Sequence, residues 1–239
     1  MSKFYKPELD LGVDVSLDVP DQTICVHDNI PVFPSYSVVV GTGGSGKTLM
    51  IVSLLEKIKP VFKGRLVVFT SSFTNTLNES VNRLKGKIFT TLHNDAGIDR
   101  VESILDFQRK QKAAGHKLKP FLIIFDDFIS DRVFNKKRSV ITKLFAMARH
   151  YNVSVIVTSQ SFKLLPAAVR KLSHYFMLYS TANTKELKSI AEECSSYMSE
   201  KDFTKLFQET TAEKHSFLFV DCNNKRMLKN FDEVVSSKY

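Results

Sequence analysis

The chain has 239 residues, 43% of them hydrophobic, enough for one α/β domain with a sizeable core. Its formal charge of +9 favours a polyanionic partner, and no run approaches the roughly 20 apolar residues of a membrane-spanning helix. Cys25, Cys194 and Cys222 are too far apart to outline a disulfide framework or a metal site, and the first residues hold no apolar signal core, so a reducing compartment is expected.

Residues 1–30 are expected to be an N-terminal extension, with an edge strand near residues 23–26. Residues 36–40 predict a buried strand, and Gly41-Thr42-Gly43-Gly44-Ser45-Gly46-Lys47-Thr48 follows it with the spacing G-x-x-x-x-G-K-T. A helix is predicted over 47–59, stopped by Pro60. Next come a strand at 65–70, a helix at 75–84, a strand at 87–90 and a helix at 98–114 ended by Gly115. The apolar run 120–127 is a strand closing on Asp126-Asp127. An amphipathic helix over 139–151 carries Val140, Ile141, Leu144, Phe145 and Ala148 on one face. Strands at 153–158 and 175–179, helices at 184–198 and 203–208, and a hairpin of 216–220 with 225–228 complete the chain. This alternation predicts an α/β fold: a mostly parallel central sheet flanked by helices, with a small C-terminal helix-plus-hairpin appendage. The expected division is an extension at 1–30, a nucleotide-binding core at 31–183, and C-terminal helices and hairpin at 184–239 packed on the same domain.

The phosphate loop implies the first chemistry. Its glycines let backbone N–H groups face phosphate oxygens at a helix N-terminus. Lys47 supplies charge for the β- and γ-phosphates of ATP, and Thr48 a hydroxyl for Mg²⁺. Asp126 is placed to reach Mg²⁺ through its water shell, and Asp127 to orient the attacking water. Gln160, at the tip of strand 153–158, is a candidate γ-phosphate sensor. The strand at 65–70 is read as lying between the phosphate-loop strand and the acid strand, as in RecA-like (ASCE) P-loop motors.

The phosphate loop, the Ile123-Ile124-Phe125-Asp126-Asp127 strand, the Arg149-His150 pair and the Ser159-Gln160 tip together resemble the FtsK–HerA superfamily. Within it the chain resembles the genome-packaging ATPases of large DNA viruses, virophages and related double jelly-roll capsid viruses, over about residues 36–180. The resemblance implies a pentameric or hexameric ring that hydrolyses ATP with Mg²⁺ and drives double-stranded DNA into a preformed capsid. It also implies a capsid vertex protein as partner, and a place in the virion or the viral factory of the host cytoplasm. In such rings an arginine from one subunit enters the next subunit's site. Arg149 is the first candidate and Arg170, after Pro166, the second. Asp127 departs from the glutamate of many relatives in the wider superfamily. Basic segments at 109–119 and 132–149 flank the acid strand, and Lys136, Lys137 and Arg138 are candidate DNA phosphate contacts. Two alternatives stand beside packaging: an ATP-dependent helicase or DNA-segregation motor, and a non-hydrolysing nucleotide switch in virion assembly.

Overall fold

The computed structural model describes residues 23–72, 74–90, 95–127, 140–195 and 197–238. Its first strand, β1 (Tyr36–Val40), is buried along its whole length, as a β-branched run between two helical layers must be. The phosphate loop then leads into α1 (Lys47–Phe62). Three parallel neighbours follow, β2 (Leu66–Thr70), β3 (Lys87–Phe89) and β4 (Phe121–Asp126), with α2 (Asn75–Arg83) and α3 (Asp95–Ala113) as crossovers. A short helix α4 (Val140–Met147) and a 3₁₀ turn (Ala148–Tyr151) enter β5 (Val153–Ser159). Then come α5 (Ala167–Leu172), β6 (Tyr175–Tyr179), α6 (Thr184–Cys194), α7 (Glu200–Thr210), β7 (Phe217–Asp221), β8 (Arg226–Lys229) and β9 (Glu233–Ser237).

All nine strands join one sheet in the order β3-β2-β4-β5-β1-β6-β7-β8-β9. The pairs from β3 to β6 are parallel and those from β6 to β9 antiparallel. Successive strand residues point to opposite faces. Val38, Phe69, Phe125 and Val155 join the core beneath α3, α4, α6 and α7. Val39, Val68, Ile124 and Ile156 join the core beneath α1 and α2.

The strand between β1 and β4 is β5, not β2 as expected. Chain order misleads here, because the crossover from β4 returns the chain toward β1 before β6 is laid down. The RecA-like arrangement therefore holds, with a different inserted strand. Pro60 does not stop α1: the helix continues to Phe62. Proline removes one amide hydrogen bond in the last turn, whereas Val61 and Phe62 are both buried, Phe62 edge-on to Phe33 at 4.9 Å. The helix expected through 151 tightens into the 3₁₀ turn after Met147 and ends at Asn152, whose φ is 55°. The edge strand expected near 23–26 is a single bridge, Ile24 to Phe33. The C-terminal hairpin is β7–β8; β7 pairs with β6, so the hairpin continues the central sheet, and an unanticipated β9 lengthens it.

Candidate active site

Because β1, β4 and β5 run parallel, their C-terminal ends meet along one edge of the sheet. The phosphate loop, Asp126-Asp127 and Gln160 all issue from that edge, where open α/β sheets bind ligands.

The loop is tied to β5 by the Gly41 N–H, which donates to the Ser159 carbonyl at 3.0 Å. Gly41 is required by close approach: a Cβ there would lie 2.4 Å from Ser45 Oγ and 2.8 Å from Tyr179 Cβ. Gly46, with φ of 105°, makes the left-handed turn that aims the first amides of α1 into the loop. Lys47 is buried, and its Nζ donates to the carbonyls of Gly41 at 2.5 Å and Thr42 at 3.1 Å. Burial lowers its pKa, while the charges of Asp127 and Asp126 push it back up. Lysine and both carboxylates therefore share one electrostatic environment.

Asp126 is almost fully buried, and both its oxygens accept hydrogen bonds. Thr158 Oγ1 donates to Oδ1 at 2.8 Å and Thr70 Oγ1 to Oδ2 at 3.2 Å. Burial raises the Asp126 pKa above the usual carboxylate range, against the pull of those two hydroxyls. The Thr158 hydroxyl also accepts the Asp127 N–H at 2.9 Å, fixing the turn at which Asp127 takes a left-handed φ of 62°. Gln160 Nε2 in turn donates to Asp127 Oδ2 at 2.7 Å. Thr70 and Thr158 were not singled out as site residues. Their signal is a threonine at the last or next-to-last place of a mostly apolar strand flanking β4, with Thr70 in register with Asp126. Thr158→Val would orphan Asp126 Oδ1 and the Asp127 N–H together. We expect a loss of about 1–3 kcal/mol in chemical denaturation and a fall in any nucleotide hydrolysis.

The two arginines lie elsewhere. Arg149 precedes β5, at the opposite edge of the sheet and about 20 Å from the phosphate loop by strand length. It is exposed beside a cavity of about 740 Å³ that Lys112, His116, His150 and His174 also line. His174 Nδ1 accepts the Tyr36 N–H at 3.1 Å, and Nε2 of the same ring lies 2.5 Å from Arg149 Nη1. Burial and the Arg149 charge hold the His174 pKa down at about 4. The imidazole therefore offers Arg149 no anion, and among the described residues Arg149 has no carboxylate partner. Arg170 is held firmly: Nε donates to both Glu193 oxygens at 3.0 and 2.9 Å, and Nη1 to the Leu165 carbonyl at 2.5 Å. Lys136, Lys137 and Arg138 lie outside the described residues. No described helix is long and apolar enough to cross a membrane.

The family described as Poxvirus A32 protein matches residues 31–222. The chain belongs to that family. A DNA packaging protein of variola virus, OPG160, is 25% identical over 162 residues, 63% of this chain and 55% of the viral protein. An uncharacterized protein of frog virus 3, 015R, is 25% identical over 186 residues, 77% of this chain and 55% of its own length. The chain thus spans about half the length of the curated relatives it matches. Among solved structures, the genome packaging NTPase B204 from Sulfolobus turreted icosahedral virus 2, in complex with ATP-gammaS, superposes with a TM-score of 0.61 at 16% identity, covering 82% of this chain and 96% of that one. The A32-family chain therefore has the mostly parallel RecA-like fold seen in a packaging NTPase. Its loop fits a nucleotide and its cation: the buried Ser45 Oγ has no protein partner, and Asp126 is a desolvated oxygen donor beside Lys47.

Proposed function

We propose that the chain is an ATPase that drives double-stranded DNA into a preformed viral capsid. The observation that carries the reading is the meeting of Lys47, Asp126, Asp127 and Gln160 at one sheet edge, linked through Thr158. In this reading the loop amides from Gly41 to Thr48 and the Lys47 ammonium hold the β- and γ-phosphates. Thr48 and Asp126 would hold Mg²⁺, which when bound neutralises developing phosphate charge. Gln160 aims the Asp127 carboxylate, which orients the attacking water and takes its proton.

Arg149 serves the site of an adjacent copy in a homo-oligomeric ring of five or six. Its distance from its own phosphate loop and the lack of a carboxylate partner among the described residues support that role, and the Glu193 pairing of Arg170 favours Arg149 of the two. Double-stranded DNA is held by backbone phosphates on the basic segments, Lys136, Lys137 and Arg138 among them. A capsid vertex protein is the docking partner, and the setting is virion assembly in the host cell. The likeness to a DNA packaging protein of variola virus supports this reading above a helicase or segregation motor.

The test is steady-state ATP hydrolysis with and without duplex DNA, at rising salt, with Lys47→Ala as the dead control. DNA should stimulate hydrolysis, and its binding should weaken steeply as salt is raised. Absence of both effects would remove DNA from the function, and absence of hydrolysis would leave only a nucleotide switch.

A further inference from the structure

We infer that the nucleoside half of the bound nucleotide lies in a second cavity, between α1 and the C-terminal turns, and that Asn230 and Asp232 read a purine's polar edge there. This rests on the reading of the phosphate loop as an ATP site. The cavity, of about 310 Å³, starts at Gly46, the last glycine of the loop, and runs along α1 past Leu49. That is the small end of ordinary ligand pockets, right for a base and ribose whose phosphates lie outside it in the loop.

Three features point to a ligand. Leu49 is 63% exposed on the first turn of α1, a large apolar side chain standing open beside the phosphate loop. A flat base laid against it would cover that surface. His215 reaches the loop from the far wall: its Nδ1 lies 3.2 Å from the Ser45 carbonyl, and a Cβ on Gly46 would meet the same nitrogen at 3.2 Å. With Nδ1 donating to that carbonyl, the neutral ring keeps Nε2 as a free acceptor. Asn230 completes the wall. Its Oδ1 accepts the Phe217 N–H at 3.2 Å, which leaves its amide hydrogens for a ligand. Asp232, exposed on the same rim, brings a side chain that can only accept. A donor and acceptors side by side suit the hydrogen-bonding edge of a purine.

The floor is apolar, formed by Tyr179 of β6 and Phe217 of β7, with ring centres 5.4 Å apart. The family match ends at residue 222, so Asn230 and Asp232 carry this recognition outside the matched region. The strands beyond β6 thereby build the wall that distinguishes a nucleotide from bare phosphate.

Equilibrium binding of ATP and of inorganic tripolyphosphate to the full chain tests this, using Leu49→Ala, Asn230→Asp and Asp232→Ala. Leu49 and Asp232 are on the surface, and aspartate keeps the Asn230 Oδ1 acceptor, so each variant should fold. Each should bind ATP about tenfold more weakly, the loss of one hydrogen bond or of the covered leucine, with tripolyphosphate affinity unchanged. ATP affinity within twofold of wild type in all three would overturn the proposal. So would an equal fall for tripolyphosphate, which would place the effect on the phosphate loop. Wild-type chain that bound neither probe would sink the ATP reading itself, a result separable from the other two.

Discussion

Arg149→Ala should cut ATP hydrolysis by the assembled protein about 10³-fold or more while each subunit still binds ATP. The expectation follows from position. The guanidinium and the phosphate loop sit at opposite ends of the parallel strands, so truncation removes nothing from the chain's own nucleotide contacts. A neutral His174 faces the arginine and no described carboxylate claims it, so it is available to a negative group on another subunit. Mixing supplies the stringent control. Lys47→Ala and Arg149→Ala preparations, each inactive alone, should recover hydrolysis together, because a Lys47→Ala subunit lends an intact arginine to a neighbour with an intact loop. Wild-type turnover by Arg149→Ala, or no recovery on mixing, would refute the assignment. Arg170→Ala should act differently, lowering stability through the lost Glu193 and Leu165 contacts.

Asp126→Asn should abolish hydrolysis and yet raise the melting temperature of the metal-free chain by a few degrees. Its carboxylate is nearly fully buried, and burial is the first cause of its raised pKa. An ionised group in that place costs stability that only a cation's charge offsets. The neutral amide keeps the shape and can still be satisfied. Thr158 can donate to its carbonyl, while Thr70, whose single hydroxyl hydrogen has the Ser72 carbonyl as a second acceptor at 3.0 Å, can accept from its NH₂. In a domain of this size 1 kcal/mol moves the midpoint by about 2–4 °C, well within the resolution of calorimetry. A lower midpoint for the variant would mean that the carboxylate is a structural asset rather than a cost accepted for function.

Much of this was legible in the sequence. The phosphate loop, the acid pair and the Thr-Ser-Gln tip each end a run of apolar, β-branched residues, and such runs declare buried strands whatever their neighbours. Boundaries were legible only where local chemistry sets them. Gly115, with φ of 75°, does follow the helix it was expected to end, whereas Pro60 was overruled by the burial of Val61 and Phe62. Sheet order was not legible, since nothing local to 66–70 or 153–159 says which strand lies next to β1. That is decided by the crossovers. Nor were Thr70, His215 or Asn230, whose importance exists only once distant segments meet: Thr70 and Asp126 are 56 residues apart, and His215 and Ser45 are 170 apart.

The left-handed backbone at Asp127 bears on which acid can stand there. Few residues with side chains accept that conformation, and aspartate is among those that do so most readily, because its short carboxylate adds little crowding next to the main chain. A glutamate would reach farther but fit the turn less well. The turn is pinned by Thr158 and the carboxylate is met by Gln160 at 2.7 Å, so the side chain is held where the backbone carries it. The choice of acid at this position is thus a matter of main-chain geometry before it is one of catalysis.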